Sequence, residues 1–214
     1  MPIRIRRATA DDADFLAWVM LSASRAHLAR GVWDLVIGAD EAGCLDYLRR
    51  LAVAEPQSLC HYEAFWVAEV DGMPAAALCG FEFRAGGWAL VAEAMAEVQR
   101  DLGWIEADRE ASYKRVAPVW NCFLPDAGAD WGIENVATRP EHQRRGLARA
   151  LLAHALRDAA GRGCRLAQIT TYIGNDPARS TYERAGFSLS DEKHCPEMAS
   201  AVAAPGLARF LREL

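Results

Sequence analysis

Lysine is scarce in this sequence, and several familiar site signatures are missing from it. Among its 214 residues, lysine occurs only at Lys114 and Lys193, so nearly all of the 24 basic residues are arginine. The 29 acidic residues leave a net charge of −5, and a mildly acidic chain is a poor general binder of nucleic acid or anionic lipid. We therefore expect no nucleic-acid partner and no membrane contact.

The cysteine pattern offers no metal site. The six cysteines include no C-x-x-C pair, and no histidine is spaced to complete a zinc site with them. We expect reduced, mostly buried thiols and no bound metal. No apolar signal segment follows the basic residues near the N-terminus, and no apolar run approaches the length of a membrane span. These absences predict a cytoplasmic protein.

The length and composition are those of one folded domain. Apolar residues make up 52% and charged residues 25% of the chain, which excludes disorder. No linker rich in serine and glycine divides it, so we expect a single domain over residues 1–214. A helical pattern at about 84–130 predicts a helical insertion. The tail at about 190–214 either completes a sheet or forms a subunit contact, as in a homodimer.

Apolar periodicity predicts a mixed α/β arrangement. The dipeptide Asp71-Gly72 tolerates positive φ angles and predicts a hairpin between two strands. Further along, strand, helix, strand and helix follow one another at a spacing that implies a right-handed parallel crossover. The predicted strands lie at 3–8, 65–70, 74–83, 131–138 and 166–172, and predicted helices include 41–53, one that begins at 146, and 176–185.

The sharpest local signal is the segment Gln143-Arg144-Arg145-Gly146-Leu147-Ala148-Arg149, between a predicted strand and a long helix. The first turn of a helix has unpaired N–H groups and attracts anions. A glycine lets the backbone approach an anion closely, and the arginines add charged donors. These features predict a pyrophosphate site that is neither a P-loop nor a Rossmann fingerprint. A solvated surface loop is the alternative interpretation.

Two motifs resemble those of the GNAT superfamily of N-acetyltransferases. Residues 135–148 are similar to the pattern [QR]-x-x-G-x-[GA] after a strand that ends near a proline, and residues 175–187 are similar to N-x-x-A-x-x-x-Y-x-x-x-G-F. The resemblance covers about 135–187. It implies an acetyl-CoA-dependent enzyme with the α/β GNAT fold, in which a mixed central sheet flanked by helices carries two parallel strands that splay apart at the CoA site.

The resemblance also implies where acetyl-CoA binds. Splayed strands that end near Thr138 and Tyr172 leave backbone groups unpaired, and the pantetheine arm can fill them like an added strand. The implied contacts are Val136, Ala137 and Thr138 for pantetheine and thioester, Gln143, Arg144, Arg145, Gly146, Leu147, Ala148 and Arg149 around the pyrophosphate, and Asn175 at the end of the opposite strand.

Two residues are candidates for proton transfer. Tyr182 matches the family's tyrosine that faces the CoA sulfur, so the resemblance implies a general acid; a core aromatic beside Ala178 is the alternative. Glu134 is the best candidate base, because period-two alternation would place it with Val136 and Thr138 on one face of the strand. Partial burial there would raise its pKa. An ordinary salt-bridged strand residue is the other interpretation of Glu134.

One departure from the family concerns Thr170. The branch that acetylates protein N-termini carries a glutamate base where this chain has Thr170, which argues against that activity. Neither motif places His61, His142 or His154. Cys164 is expected to be buried rather than nucleophilic, so a ping-pong route through an acyl-cysteine is disfavoured.

The predicted activity is direct transfer of an acetyl group from acetyl-CoA to a primary amine, on a small molecule or a peptide, in one ternary complex. A non-catalytic acyl-CoA sensor or interaction module would need the arginine segment but neither Tyr182 nor Glu134. Transfer of a longer acyl group, or to a hydroxyl, is a further alternative. The insertion's acidic residues are either an acidic wall for a cationic amine or a solvated helix face: Glu93, Glu97, Asp101, Glu106 and Glu110.

Overall fold

A seven-stranded sheet organises the computed structural model, which describes residues 3–85, 87–125 and 127–214. Its strands lie in the order β1-β2-β3-β4-β5-β7-β6. The pair β4 and β5 is parallel, and the other neighbours are antiparallel. The strands are β1 (Arg4–Arg7), β2 (Phe65–Val70), β3 (Met73–Glu82), β4 (Trp131–Thr138), β5 (Leu166–Tyr172), β6 (Ser188–His194) and β7 (Gly206–Glu213).

Helices cover both faces of this sheet, as the predicted mixed α/β fold requires. Residues of α1–α5 and α8 form one buried cluster on what we call the α1 face. Residues of α6 and α7 form a second cluster on the α6 face. The helices are α1 (Ala13–Arg25), α2 (Val32–Ile37), α3 (Glu41–Leu51), α4 (Gly87–Asp101), α5 (Glu106–Trp120), α6 (Leu147–Gly161), α7 (Asp176–Arg184) and α8 (Pro196–Val202).

The predicted hairpin joins β2 to β3, and its turn residues Asp71 and Gly72 have φ angles of 53° and 80°. The predicted helical stretch at 84–130 contains α4 and α5. Helix α5 is fastened to α2: the Ser112 hydroxyl donates to the Val36 carbonyl oxygen over 2.5 Å, and Arg115 Nε donates to the Leu35 carbonyl oxygen over 2.8 Å. These two hydrogen bonds hold α5 against α2.

The C-terminal tail completes the sheet. Strand β7 enters between β5 and β6 and pairs with β5 from Leu166 to Tyr172. Helix α8 connects β6 to β7 and contributes Met198 to the core of the α1 face. Because β7 is antiparallel to β5, its first residues and α8 lie beside the carboxyl end of β5.

Cys122 and Cys195 form a disulfide, so the prediction of six reduced thiols is wrong for this pair. Their Cα atoms are 5.5 Å apart, although 73 residues separate them in sequence. Cys122 follows α5 and Cys195 is the N-cap of α8, so the bond ties the insertion to the tail. No local spacing rule detects a pair that only the folded chain brings together. Disulfides are typical of oxidising compartments, so the oxidation state of this pair in cells bears on the predicted cytoplasmic location.

Across the described residues, no helix has both the length and the apolar content needed to cross a membrane.

Candidate active site

Strands β4 and β5 are paired only near their amino ends. Residues Trp131–Ile133 of β4 face Ala167–Ile169 of β5, and beyond them the strands diverge. Strand β4 continues to Thr138 and β5 to Tyr172, so the facing backbone groups of these ends have no ladder partner across the sheet. We call the opening between these two strand ends the gap. It is the splay that the fold prediction required.

A β-bulge at Asn135 changes which face of β4 each side chain occupies. Cys79 pairs with Glu134 and Ala77 with Ala137, so two residues of β4 lie opposite one residue of β3. Asn135 has a φ of 53°, a left-handed conformation that asparagine tolerates. The extra residue shifts the period-two alternation by one position from here on.

The predicted shared face for Glu134, Val136 and Thr138 is therefore wrong. Glu134 shares the α1 face with its partner Cys79, which lies in the core cluster of that face. Val136 packs against the cluster of the α6 face, and Thr138 pairs with a residue of that cluster, Ala76. The bulge thus turns the Glu134 carboxylate toward the opposite side of the sheet.

Glu134 is half-buried and has no ion-pair partner among the described residues. The salt-bridged interpretation of this residue therefore finds no support. Burial raises the pKa of Glu134 to about 7, because desolvation disfavours the charged carboxylate. A carboxyl group with this pKa can accept a proton near neutral pH and release it again.

Tyr182 approaches the gap from the α6 face. Its ring is 7% exposed and packs edge-on to Phe210, with ring centroids 5.9 Å apart. Burial, and secondarily the charge of Glu134, raise the pKa of the Tyr182 phenol. The buried side-chain polar atoms that lack a partner in the described residues are the indole nitrogens of Trp66 and Trp131. The Tyr182 hydroxyl is not among them and has no hydrogen-bond partner in the described part of the chain, so it retains contact with solvent.

The arginine segment forms the start of α6. Gly146 is the N-cap, with φ and ψ of 80° and 10°, and a Cβ atom there would meet nothing within 4 Å. The first turn contains no acidic residue and no side-chain cap. Arg144 and Arg149 are exposed and pair with no carboxylate among the described residues, while Arg145 Nη1 lies 2.8 Å from His142 Nδ1. An open helix terminus beside arginines can bind a diphosphate.

Gln143 and Asn175, two other implied cofactor residues, hydrogen-bond to the protein itself. Gln143 Nε2 donates to the Thr138 carbonyl oxygen over 3.5 Å, linking the loop to the end of β4. Asn175 is the N-cap of α7: its Oδ1 accepts from the Ala178 backbone N–H over 3.4 Å, and its Nδ2 donates to Thr171 Oγ1 over 2.9 Å. Both ends of the Asn175 side chain therefore serve the protein's own structure.

Tyr172 is a residue of this region that the sequence analysis treated only as a strand end. It is 8% exposed and lies in the core cluster of the α1 face, the face that also holds Glu134. Burial raises the pKa of its phenol to about 12, and the nearby backbone N–H of Val32, the first residue of α2, opposes this rise. Alternation from Thr170 along β5 could have placed Tyr172 on this face, but no sequence pattern connects it to Val32.

The insertion's acidic residues have the features of a solvated helix face. Glu93, Asp101, Glu106 and Glu110 are exposed. The Glu106 carboxylate lies 3.3 Å from an Arg109 guanidinium nitrogen, and the Glu110 carboxylate lies 2.7 Å from Lys114 Nζ. Such pairs within one helix turn explain the charges without a substrate.

The remaining candidates offer no nucleophile. Cys164 is half-buried, and burial raises the pKa of its thiol, which disfavours the reactive thiolate. His154 packs edge-on to the Trp66 ring, with centroids 4.3 Å apart. His61 is buried, and its Nδ1 accepts from the Glu63 backbone N–H. These contacts are structural.

Comparison with known proteins found one matching family and several similar structures. The sequence profile described as "Acetyltransferase (GNAT) family" matches residues 40–187. No curated protein matches the sequence. Among solved structures, one described as an acetyltransferase has a TM-score of 0.69 at 19% identity over 98% of each chain. An N-acetyltransferase from Staphylococcus aureus Mu50 has a TM-score of 0.64 at 18% identity over 98% of this chain and 100% of that chain.

A third solved structure is a polyamine N-acetyltransferase from Drosophila melanogaster that catalyses formation of N-acetylagmatine. Its TM-score is 0.55 at 14% identity over 100% of each chain. At such identities, these structures show a shared fold.

Proposed function

Because the chain belongs to the GNAT family of acetyltransferases, and is thus an acyl-CoA-dependent acetyltransferase, we propose that it acetylates a primary amine by direct transfer in a ternary complex. The observation that carries the proposal is the gap between β4 and β5, with Glu134 on one face of the sheet and Tyr182 on the other. A thioester lying in this gap would have a base on one side and an acid on the other.

The ends of the gap fit the two halves of acetyl-CoA. The edge of β4 at Val136, Ala137 and Thr138 that β5 leaves unpaired offers hydrogen bonds to the amide-bearing pantetheine arm. The open N-terminus of α6, with Arg144 and Arg149 free of carboxylate partners among the described residues, suits the diphosphate. The buried Leu147 side chain anchors this turn to the core, so its backbone N–H is the group that faces a ligand.

The proposed reaction needs proton transfers at nitrogen and at sulfur. An alkylammonium has a pKa of about 10.4 in water, so it must lose a proton before its nitrogen can attack. Glu134 accepts that proton, the nitrogen bonds to the acetyl carbonyl carbon, and the carbon–sulfur bond breaks. The departing thiolate takes the proton of the Tyr182 hydroxyl, and the second proton that the nitrogen loses on becoming an amide passes through solvent to restore the phenol. Each such group typically contributes about 10²- to 10⁴-fold in rate, and alignment of the reactants lowers the barrier by roughly 7–11 kcal/mol.

The proposed acceptor is a small-molecule amine. The branch of the family that acetylates protein N-termini carries a glutamate base where this chain has Thr170. This difference disfavours protein N-termini as the acceptor. The Drosophila polyamine N-acetyltransferase, which shares the fold, forms N-acetylagmatine, so agmatine is a reasonable first probe. The mechanism uses no metal. The cytoplasm remains the proposed location, and the oxidation state of Cys122 in cells tests it.

The experiment has two stages. Calorimetric titration with acetyl-CoA should show saturable binding. A thiol-release assay should then show CoA formation that depends on an added amine, with agmatine, spermidine, an amino acid amide and a peptide beginning with alanine as acceptors. Binding of acetyl-CoA without release for any acceptor would instead identify a non-catalytic sensor. No binding at all would remove the proposed site.

A further inference from the structure

Tyr172 and Glu134 border the gap from its two sides on the same face of the sheet. Tyr172 ends β5 and Glu134 precedes the bulge of β4, and both belong to the α1 face. The charge of Glu134 contributes to raising the pKa of Tyr172, as expected for two groups on one face of the gap. No hydrogen bond joins the two side chains, so both can engage a ligand between them.

The Tyr172 hydroxyl has hydrogen-bonding capacity to spare. A phenol oxygen has two acceptor lone pairs and one proton. The Val32 backbone N–H lies near this oxygen and opposes the rise that burial causes in the pKa of the phenol. The described residues supply no side-chain partner for the other lone pair or for the proton. A buried polar group with unused capacity beside a reaction gap is suited to bind a polar ligand.

The other charged groups near Tyr172 are already committed. Asp34 lies in α2, and its carboxylate is 2.8 Å from an Arg25 guanidinium nitrogen and accepts the Gly31 backbone N–H over 2.8 Å. These partners lower the pKa of Asp34 and keep it ionised. On the side of Glu134, the neighbouring titratable groups are the buried thiols Cys60 and Cys79, whose pKa values burial raises. Glu134 is thus the proton acceptor available there.

We propose that Tyr172 is a further catalytic residue, whose hydroxyl oxygen accepts a hydrogen bond from the acceptor amine and holds that amine against Glu134. The inference rests on the proposed function. The Glu134 carboxylate and the Tyr172 hydroxyl oxygen, on opposite borders of the gap, would each accept a hydrogen bond from the ammonium group. After Glu134 takes one proton, the remaining hydrogen bond to Tyr172 keeps the neutral amine in the gap while its lone pair turns toward the thioester. Tyr172 itself stays neutral throughout, since no proton moves to or from it.

A purely structural role for Tyr172, anchoring α2 through Val32, makes a different prediction. Val32→Pro removes the backbone N–H that lies near the phenol oxygen and leaves the phenol in place. Proline is well tolerated at the first residue of a helix, and Gly31 before it is extended, with φ and ψ of −126° and −174°. If anchoring were the whole role, Tyr172→Phe and Val32→Pro would impair the enzyme alike.

The test compares both variants with the wild-type chain, using whichever of the four acceptors named above is acetylated fastest. Tyr172→Phe should lower kcat/KM for the amine by about tenfold or more, with the Kd for acetyl-CoA and the thermal midpoint near the wild-type values. Val32→Pro should keep most of the amine kcat/KM. Tyr113→Phe, on the exposed surface of α5, is the matched control and should be silent.

Wild-type kinetics for Tyr172→Phe, or equal losses in Tyr172→Phe and Val32→Pro, would overturn the assignment of Tyr172 alone. A wild-type chain that acetylates none of the four acceptors would overturn this inference together with the proposed function. A loss confined to acetyl-CoA affinity would move Tyr172 to the cofactor site and also contradict the proposal.

Discussion

Glu134 lies opposite Cys79 in the register of β3 and β4, and the bulge at Asn135 separates it from Val136 on the other face. This pairing puts a carboxyl group, free of ion-pair partners in the described chain, on the α1 face of the gap. Tyr182 stands on the α6 face. The two proposed proton-transfer groups therefore border the gap from opposite faces of the sheet, one beside the incoming amine and one beside the departing sulfur in the proposed reaction.

Glu134→Gln should lower kcat by about 10²-fold or more at neutral pH. In the wild-type chain, activity should rise with pH through about 7, because Glu134 must be deprotonated to accept the amine proton. The variant should lose this ascending limb. A pH–rate profile of thiol release checks both statements, and a wild-type limb that persists in the variant would assign the titration to another group.

The same substitution should stabilise the folded chain at alkaline pH. Burial raises the folded-state pKa of Glu134 to about 7 from 4.5. Its contribution to the free energy of unfolding is therefore fully present below pH 4.5 and is lost as pH rises through 7. Glutamine avoids the buried charge, so the thermal midpoint of Glu134→Gln should exceed that of the wild type at pH 8. Equal midpoints at pH 8 would show that the carboxylate is well solvated.

Tyr182→Phe should lower kcat by about 10²-fold and leave the Kd for acetyl-CoA nearly unchanged. The phenyl ring keeps the edge-on packing with Phe210, and only the hydroxyl that would protonate the thiolate is lost. Thiol-release kinetics combined with calorimetry separate the two effects, with Tyr113→Phe as the control. An unchanged turnover number would leave solvent as the proton donor.

Arg144→Glu should weaken acetyl-CoA binding about 10- to 100-fold. It replaces a positively charged donor beside the N-terminus of α6 with a carboxylate that repels the diphosphate. Arg100→Glu on α4 is the matched control, since Arg100 is also exposed and has no ion pair among the described residues. Titrations at two salt concentrations should show that added salt reduces the difference in acetyl-CoA affinity between the wild type and Arg144→Glu. Equal affinities for both variants would contradict the diphosphate site.

Cys122→Ser should lower the free energy of unfolding by about 2–4 kcal/mol, because the disulfide with Cys195 closes a loop across 73 residues. Denaturant unfolding with and without a dithiol reductant measures this difference, with Cys164→Ser as the control. Reductant should destabilise the wild type and not Cys122→Ser. Alkylation of protein from its native cells then reports the oxidation state there, and free thiols at Cys122 would support the cytoplasmic location.

Much of the fold and part of the site could be predicted from local pattern. The turn at Asp71-Gly72, the helix that starts after Gly146 and the parallel crossover from β4 to β5 all follow from short-range periodicity and backbone preferences. The arginine segment was recognisable for the same reason: a helix terminus and its flanking charges are neighbours in sequence. The roles of these residues toward acetyl-CoA stay predictions.

The sequence did not predict the face of the sheet that Glu134 occupies or the contacts between remote segments. Alternation predicted the wrong face for Glu134 because one extra residue in a strand reverses every later side chain, and a bulge depends on the partner strand. The disulfide of Cys122 and Cys195 and the contact of Val32 with Tyr172 join segments that only the packed chain brings together.

The amino-acid sequence by itself determined the family, the parallel crossover that carries the gap and the arginine-flanked start of α6, because each depends on residues close together in the chain. The tertiary structure alone decided that Glu134 and Tyr182 lie on opposite faces of the sheet and that a disulfide ties Cys122 to Cys195. Those properties depend on strand register and on packing between remote segments, which no local pattern encodes.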